Sequence, residues 1–195
     1  GLPMGGYKFR MHQMSSAVGR VQIKYYDERT AEIRKAMNYF WDLLEGVPGL
    51  KAHRTSPDSG SNMAGWYAPH GLFRTEELGG LSVTRFCEAV RAEGISACNP
   101  GCNAALHTHT LFNTCDVYGN GKPTRIVREN DKSLPVSEKI GTMAYGIPWF
   151  IHYRPEIIEQ YAKAYRKAAE NYKDLLKGDP GNPPRLGGWV FFKQH

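Results

Sequence analysis

The chain has 195 residues, 41% hydrophobic and 23% charged, a balance that suits a globular protein with a sizeable core and excludes a disordered polymer. Its formal charge is +6, from 25 Lys plus Arg against 19 Asp plus Glu, but the basic residues are spread along amphipathic stretches and form no block suited to nucleic acid. No apolar run reaches the roughly 20 residues of a membrane-spanning helix, so neither a membrane nor nucleic acid is an expected partner.

In chain order, Met11, Met14, Val18, Val21 and Tyr25 recur at intervals of three or four, and Ile33, Met37, Phe40 and Leu44 continue the stripe. This spacing predicts one long, bent helix from about Phe9, its stripe packed in a core, ending before the Gly46-Val47-Pro48-Gly49 turn. Residues 50–54 read as a short strand and 55–62 as a polar loop. Residues 63–73, with Trp66 and Tyr67, read as a buried strand in which Pro69 marks an edge or a break. Val83, Phe86, Cys87 and Val90 share one side of a helix over 82–92, Gly94 ends it, and 95–98 is a further short strand. Alternating strand and helix indicate an α/β or α+β unit.

Residues 99–132 are mostly irregular, and a stretch of that length in a compact domain is more often a functional loop than filler. A helix over 134–145 is stopped by Gly146 and Pro148, and 149–151 is extended. A long amphipathic helix follows over 155–176, with Pro155 well placed in its first turn. The tail from Gly178 is rich in Gly and Pro and ends in Trp189, Val190, Phe191 and Phe192, which can pack on the domain, pair with a strand edge or reach a neighbouring subunit.

Four cysteines at uneven spacing make no disulfide framework, and residues 1–14 lack the apolar centre of a secretory signal, so a cytoplasmic location is expected. Cys98, Cys102, His107, His109 and Cys115 lie within one short stretch, and all are competent zinc ligands. Their C-x3-C-x4-H-x-H-x5-C spacing is not a usual C-x2-C knuckle, and Cys98 also reads as a small buried hydrophobe. No metal ligand is assigned on this pattern; a basic, zinc-stabilised binding module stands as the alternative class.

Near the start of the first helix the sequence reads Gly6-Tyr7-Lys8-Phe9-Arg10-Met11, followed by Ser16-Ala17, Gly19 and Gln22. Then come Leu106-His107 with Phe112, Leu134-Pro135-Val136-Ser137-Glu138, Gly146-Ile147-Pro148, and a last helix containing Ile157-Ile158-Glu159-Gln160-Tyr161. In order and spacing these segments resemble the DegT/DnrJ/EryC1/StrS aminotransferases. That family's signature is Gly-x-Asn-x-Arg-Met followed by Ala-Ala-x-Gly and Gln, and one variant has Lys for the Asn with a His shortly after, as Lys8 and His12 stand here. The resemblance runs from about Gly6 to Lys177.

It implies an α/β fold: the C-terminal small domain of a fold-type-I pyridoxal-phosphate-dependent transferase, a short sheet with helices preceded by a long helix. Residues 1–45 would form the entry segment and bridging helix, 46–177 the small domain, and 178–195 a Gly/Pro-rich tail. The implied reaction moves an amino group from an amino-acid donor to a keto-sugar, often nucleotide-linked, or a cyclitol, in a homodimer with pyridoxal phosphate as cofactor. In the family the Schiff-base lysine and the acidic partner of the pyridinium nitrogen belong to a large domain ahead of the signature. No catalytic residue is therefore expected in this chain, and the isolated chain is expected to be inactive.

Carried over by position, Lys8 replaces the Asn that reaches the cofactor phosphate of the neighbouring subunit, where an ammonium beside a helix start suits an anion. An exposed surface lysine is its other reading. Arg10 is a cofactor or substrate anion contact or else a structural ion pair. His107 takes the place of a histidine near the substrate, or is satisfied by backbone.

Overall fold

The computed structural model describes residues 11–108, 110–125, 133–183 and 186. The N-terminal stripe forms two helices and not one: α1 (Gln13–Lys24) and α2 (Tyr26–Leu43) meet at Tyr25, where φ −113° and ψ 5° depart from helical values. Asp27 and Glu28 in the first turn of α2 suit a fresh helix start, because carboxylates complement its partial positive charge. Burial also divides the two helices. α1 buries no residue, whereas α2 buries Ala36, Met37, Phe40 and Trp41, so the stripe predicted as core is core only in its second half.

The sheet has three antiparallel strands in the order β1 (Leu50–Lys51), β2 (His70–Phe73), β3 (Ala144–Gly146), with Leu50 opposite Phe73 and Gly71 opposite Tyr145. Only the last four residues of the strand expected over 63–73 are extended and paired. Ahead of them Ala64, Trp66 and Ala68 have φ of 45°, 55° and 47°, a left-handed backbone that no strand can hold. The strand expected over 95–98 is a turn closed by the Cys98 N–H on the Ile95 carbonyl at 3.4 Å, and Pro100 is the residue that bridges to Tyr145.

The helix over 82–92 forms as α3 (Val83–Ala92), its N-terminus capped by the Ser82 hydroxyl, which accepts the Arg85 N–H at 3.1 Å. The long irregular stretch holds only a 3-10 turn (Leu106–Thr108) and α4 (Thr110–Thr114) among its described residues. The helix expected over 134–145 shortens to α5 (Pro135–Lys139) and a 3-10 turn (Ile140–Met143), because the following residues join the sheet as β3. Its Gly146 lies so close to the Ala97 carbonyl that a side chain there would strike backbone. The last helix divides at Asn171 into α6 (Pro155–Glu170) and α7 (Tyr172–Leu175).

Helices α2, α3 and α6 and the sheet share one core, in which Phe73 and Phe86 are 5.0 Å apart and Phe40 meets Tyr165 edge-on at 5.4 Å. α2 is fastened to α6 by polar contacts as well. Arg166 Nη2 donates to the Leu43 carbonyl (2.7 Å) at the negative end of α2, and the Tyr39 hydroxyl donates to Glu159 (2.6 Å). Helices around a small antiparallel sheet are compatible with the expected α/β aminotransferase domain. The first residues of the tail are held at α3, where Asp179 accepts the Ser82 N–H (2.7 Å) and hydroxyl (2.6 Å). Trp189 to Phe192 lie outside the described residues, among which no helix is long and apolar enough to cross a membrane.

Candidate functional site

Lys8, Arg10 and His109 lie outside the described residues. His107 is described: it sits in the 3-10 turn before α4, with its side chain only 14% exposed. Its Nε2 donates to Glu138 Oε1 at 2.7 Å, so a carboxylate and not backbone engages that nitrogen. Glu138 reaches back over its own helix, accepting the Leu134 N–H at 2.8 Å and the Ser133 hydroxyl at 3.0 Å. The Leu134 N–H, then His107 and Ser133, hold the Glu138 carboxyl below the usual carboxylate range. Two motif segments 31 residues apart thus meet in one histidine–carboxylate pair, an arrangement that orients an imidazole.

The thiols do not gather around this histidine as zinc ligands. Cys98 is fully buried beside Cys87; the hydrogen bond between them, with burial, pushes the Cys87 thiol far up, the reverse of what a metal thiolate needs. Burial raises the Cys102 thiol too, and Cys115 directs its Sγ at the Phe112 carbonyl at 3.6 Å. Among the described residues no three His, Cys, Asp or Glu side chains are placed to share a metal ion.

A lysine that holds a cofactor as a Schiff base works from a desolvated pocket. Every described lysine is exposed instead, several of them committed elsewhere: Lys51 to Glu77 (3.0 Å), Lys167 to Glu93 (2.8 Å), and Lys35 over the Tyr153 ring (3.9 Å). None of the described lysines has the desolvated setting of a Schiff-base amine for pyridoxal phosphate.

A pocket of about 380 Å³ opens between α2 and residues 54–66. Arg34, Asn38 and Asp42 line it from the helix at intervals of four, a row alongside the buried Met37 and Trp41. Across from them stand Arg54, Asn62, Met63 and Trp66, and Arg54 Nη1 binds Asp42 Oδ1 at 2.6 Å. The loop is stiffened locally. The Ser59 hydroxyl donates to the Ser56 carbonyl (2.7 Å), Asn62 Oδ1 accepts the Ala64 N–H (2.8 Å), and the Trp149 indole donates to the Gly65 carbonyl (2.8 Å). The left-handed residues 64, 66 and 68 each cost on the order of 1–3 kcal/mol, strain of a kind concentrated at ligand sites. Sequence reasoning missed this pocket. Its readable signal was the polar row Arg34, Asn38, Asp42 flanking the apolar stripe.

The sequence profile of the DegT/DnrJ/EryC1/StrS aminotransferase family matches residues 3–164. No curated relative matches the chain. The matched span starts ahead of α1, contains the whole sheet and the His107–Glu138 pair, and runs into α6. With that span, the chain belongs to the DegT/DnrJ/EryC1/StrS aminotransferase family.

Proposed function

We propose that this chain is the C-terminal part of a pyridoxal-phosphate-dependent aminotransferase of fold type I. The whole enzyme moves an amino group from an amino-acid donor to a keto-sugar, often nucleotide-linked, or to a cyclitol. The family match over residues 3–164 carries the reading. Residues 1–45 are the entry segment and bridging helix, 46–177 the small domain and 178–195 a tail. In the cytoplasmic homodimer Lys8 contacts the cofactor phosphate of the neighbouring subunit, with Arg10 beside it, because an ammonium suits that dianion. His107 is the substrate contact, and its support is the Glu138 carboxylate that restrains its ring. The chemistry of amino transfer belongs to the cofactor and to a lysine outside this chain, so the isolated chain is inactive.

The test is chemical trapping. Pyridoxal phosphate is mixed with the chain and reduced with borohydride, and modified lysines are located by mass spectrometry. Sparse labelling scattered over exposed lysines is expected. Stoichiometric labelling of one lysine would overturn the placement of the catalytic amine outside the chain.

A further inference from the structure

We propose that the pocket between α2 and residues 54–66 binds a sugar that carries one anionic group, a carboxylate or a phosphate. The inference rests on the pocket's own lining and not on the aminotransferase reading, and its test needs no cofactor.

Size comes first: about 380 Å³ lies in the range of small-molecule sites, roughly 300–1,000 Å³. Charge selects an anion. Asp42 already neutralises Arg54, whereas Arg34 has no ion pair or hydrogen bond among the described residues, leaving one uncompensated cation on the wall. A guanidinium fork matches carboxylate and phosphate oxygens in pairs. Neutral groups select a polyol. Asn38 has no hydrogen bond among the described residues, Asn62 spends its oxygen on Ala64 and keeps its amide donors, and Asp42 can accept from a hydroxyl. The rest of the wall sets the hydroxyl residues Thr55, Ser56 and Ser61 beside apolar Pro57 and Met63, with Trp66 buried behind them, and suits the mixed polar and C–H surface of a sugar ring. A bare anion would leave that wall and the amides unused, and a neutral sugar would leave Arg34 unused. An anionic sugar uses them all. The locally bonded, strained loop supplies a site that is already formed, so little ordering has to accompany binding.

The experiment titrates the 195-residue chain with glucose 6-phosphate, glucuronate, glucose and inorganic phosphate, following backbone and indole N–H signals by NMR. Saturable shifts at residues 34–42 and 54–66 are expected with at least one anionic sugar, and the tighter of the two identifies carboxylate or phosphate. Glucose and inorganic phosphate should each bind about tenfold more weakly or worse. Arg34→Ala should lose about tenfold or more in affinity, and Arg34→Lys should recover part of it. Arg34 is exposed, so both variants should keep the wild-type melting curve. The proposal is overturned by an absence of saturable shifts with both anionic sugars. It is equally overturned if glucose or phosphate alone binds as tightly, or if Arg34→Ala leaves the affinity unchanged.

Discussion

Glu138 joins the His107 turn to the start of α5 through an imidazole, a hydroxyl and a backbone N–H. Because the Leu134 N–H, His107 and Ser133 hold its carboxyl below the ordinary value of 4.5, the folded chain binds this proton less readily than the unfolded chain does. The sign follows. The contribution is complete above the unfolded value and is lost as pH falls through the lower, folded one. Acidification below 4.5 should therefore speed hydrogen exchange at the Leu134 amide, after correction for intrinsic rates, while α2 and α6 stay protected. Glu138→Gln keeps a similar shape and an acceptor but no ionisable carboxyl. Exchange at Leu134 should then be faster at neutral pH and lose this acid dependence. If the variant keeps the wild-type acid dependence, another group is responsible.

At the level of elements, what sequence could reveal was what local pattern determines. Helix α3 formed within one residue of its expected bounds, because Val83, Phe86, Cys87 and Val90 share a face, Ser82 caps the start and Gly94 takes up the left-handed turn at the end. β3 was hidden inside a helical expectation because its pairing partner, β2, lies more than seventy residues earlier and no local pattern announces it. The His107–Glu138 pair was obscured for the same reason: both residues stood in recognisable segments, but their meeting is tertiary. In the pocket only the helical half of the lining had a period to read. The sheet also contains a requirement that spacing does not disclose. Gly71 on β2 faces Tyr145 and Trp41 so closely that a methyl group would overlap both rings. Its φ is not in the left-handed region, so the penalty for a side chain is steric. Gly71→Ala should cost about 1–3 kcal/mol, read as a lower urea midpoint with an unchanged slope. Gly19→Ala, in the open interior of α1, meets no neighbour and favours the helix, so it should not lower that midpoint. Equal midpoints for wild type and Gly71→Ala would show that the two rings give way.

On the scale of the whole chain, the core accounts for α2 onward and leaves α1 unexplained. An isolated helix of 12 residues is marginal in water, and α1 also carries Gly19 in its interior. Its supports are local: His12 Nδ1 accepts the Met14 N–H at 3.2 Å, and Arg29 of α2 donates to Gln22. Yet Met11, Met14, Val18, Val21 and Tyr25 follow one another at intervals of three, four, three and four, the spacing of a helical seam that another surface covers. The seam is bare: these residues are 70%, 70%, 58%, 52% and 47% exposed. Together they leave apolar surface on the order of a few hundred Å², as much as the largest patch on an ordinary monomer. The chain should therefore self-associate with rising concentration in sedimentation experiments, or bind a dye that fluoresces on apolar surfaces. Met14→Glu combined with Val18→Glu should reduce both signals. The melting temperature should hold, since neither residue touches the core. A chain that stays monomeric at high concentration and silent toward the dye would mean that the seam needs no cover, and α1 should then show little exchange protection of its own.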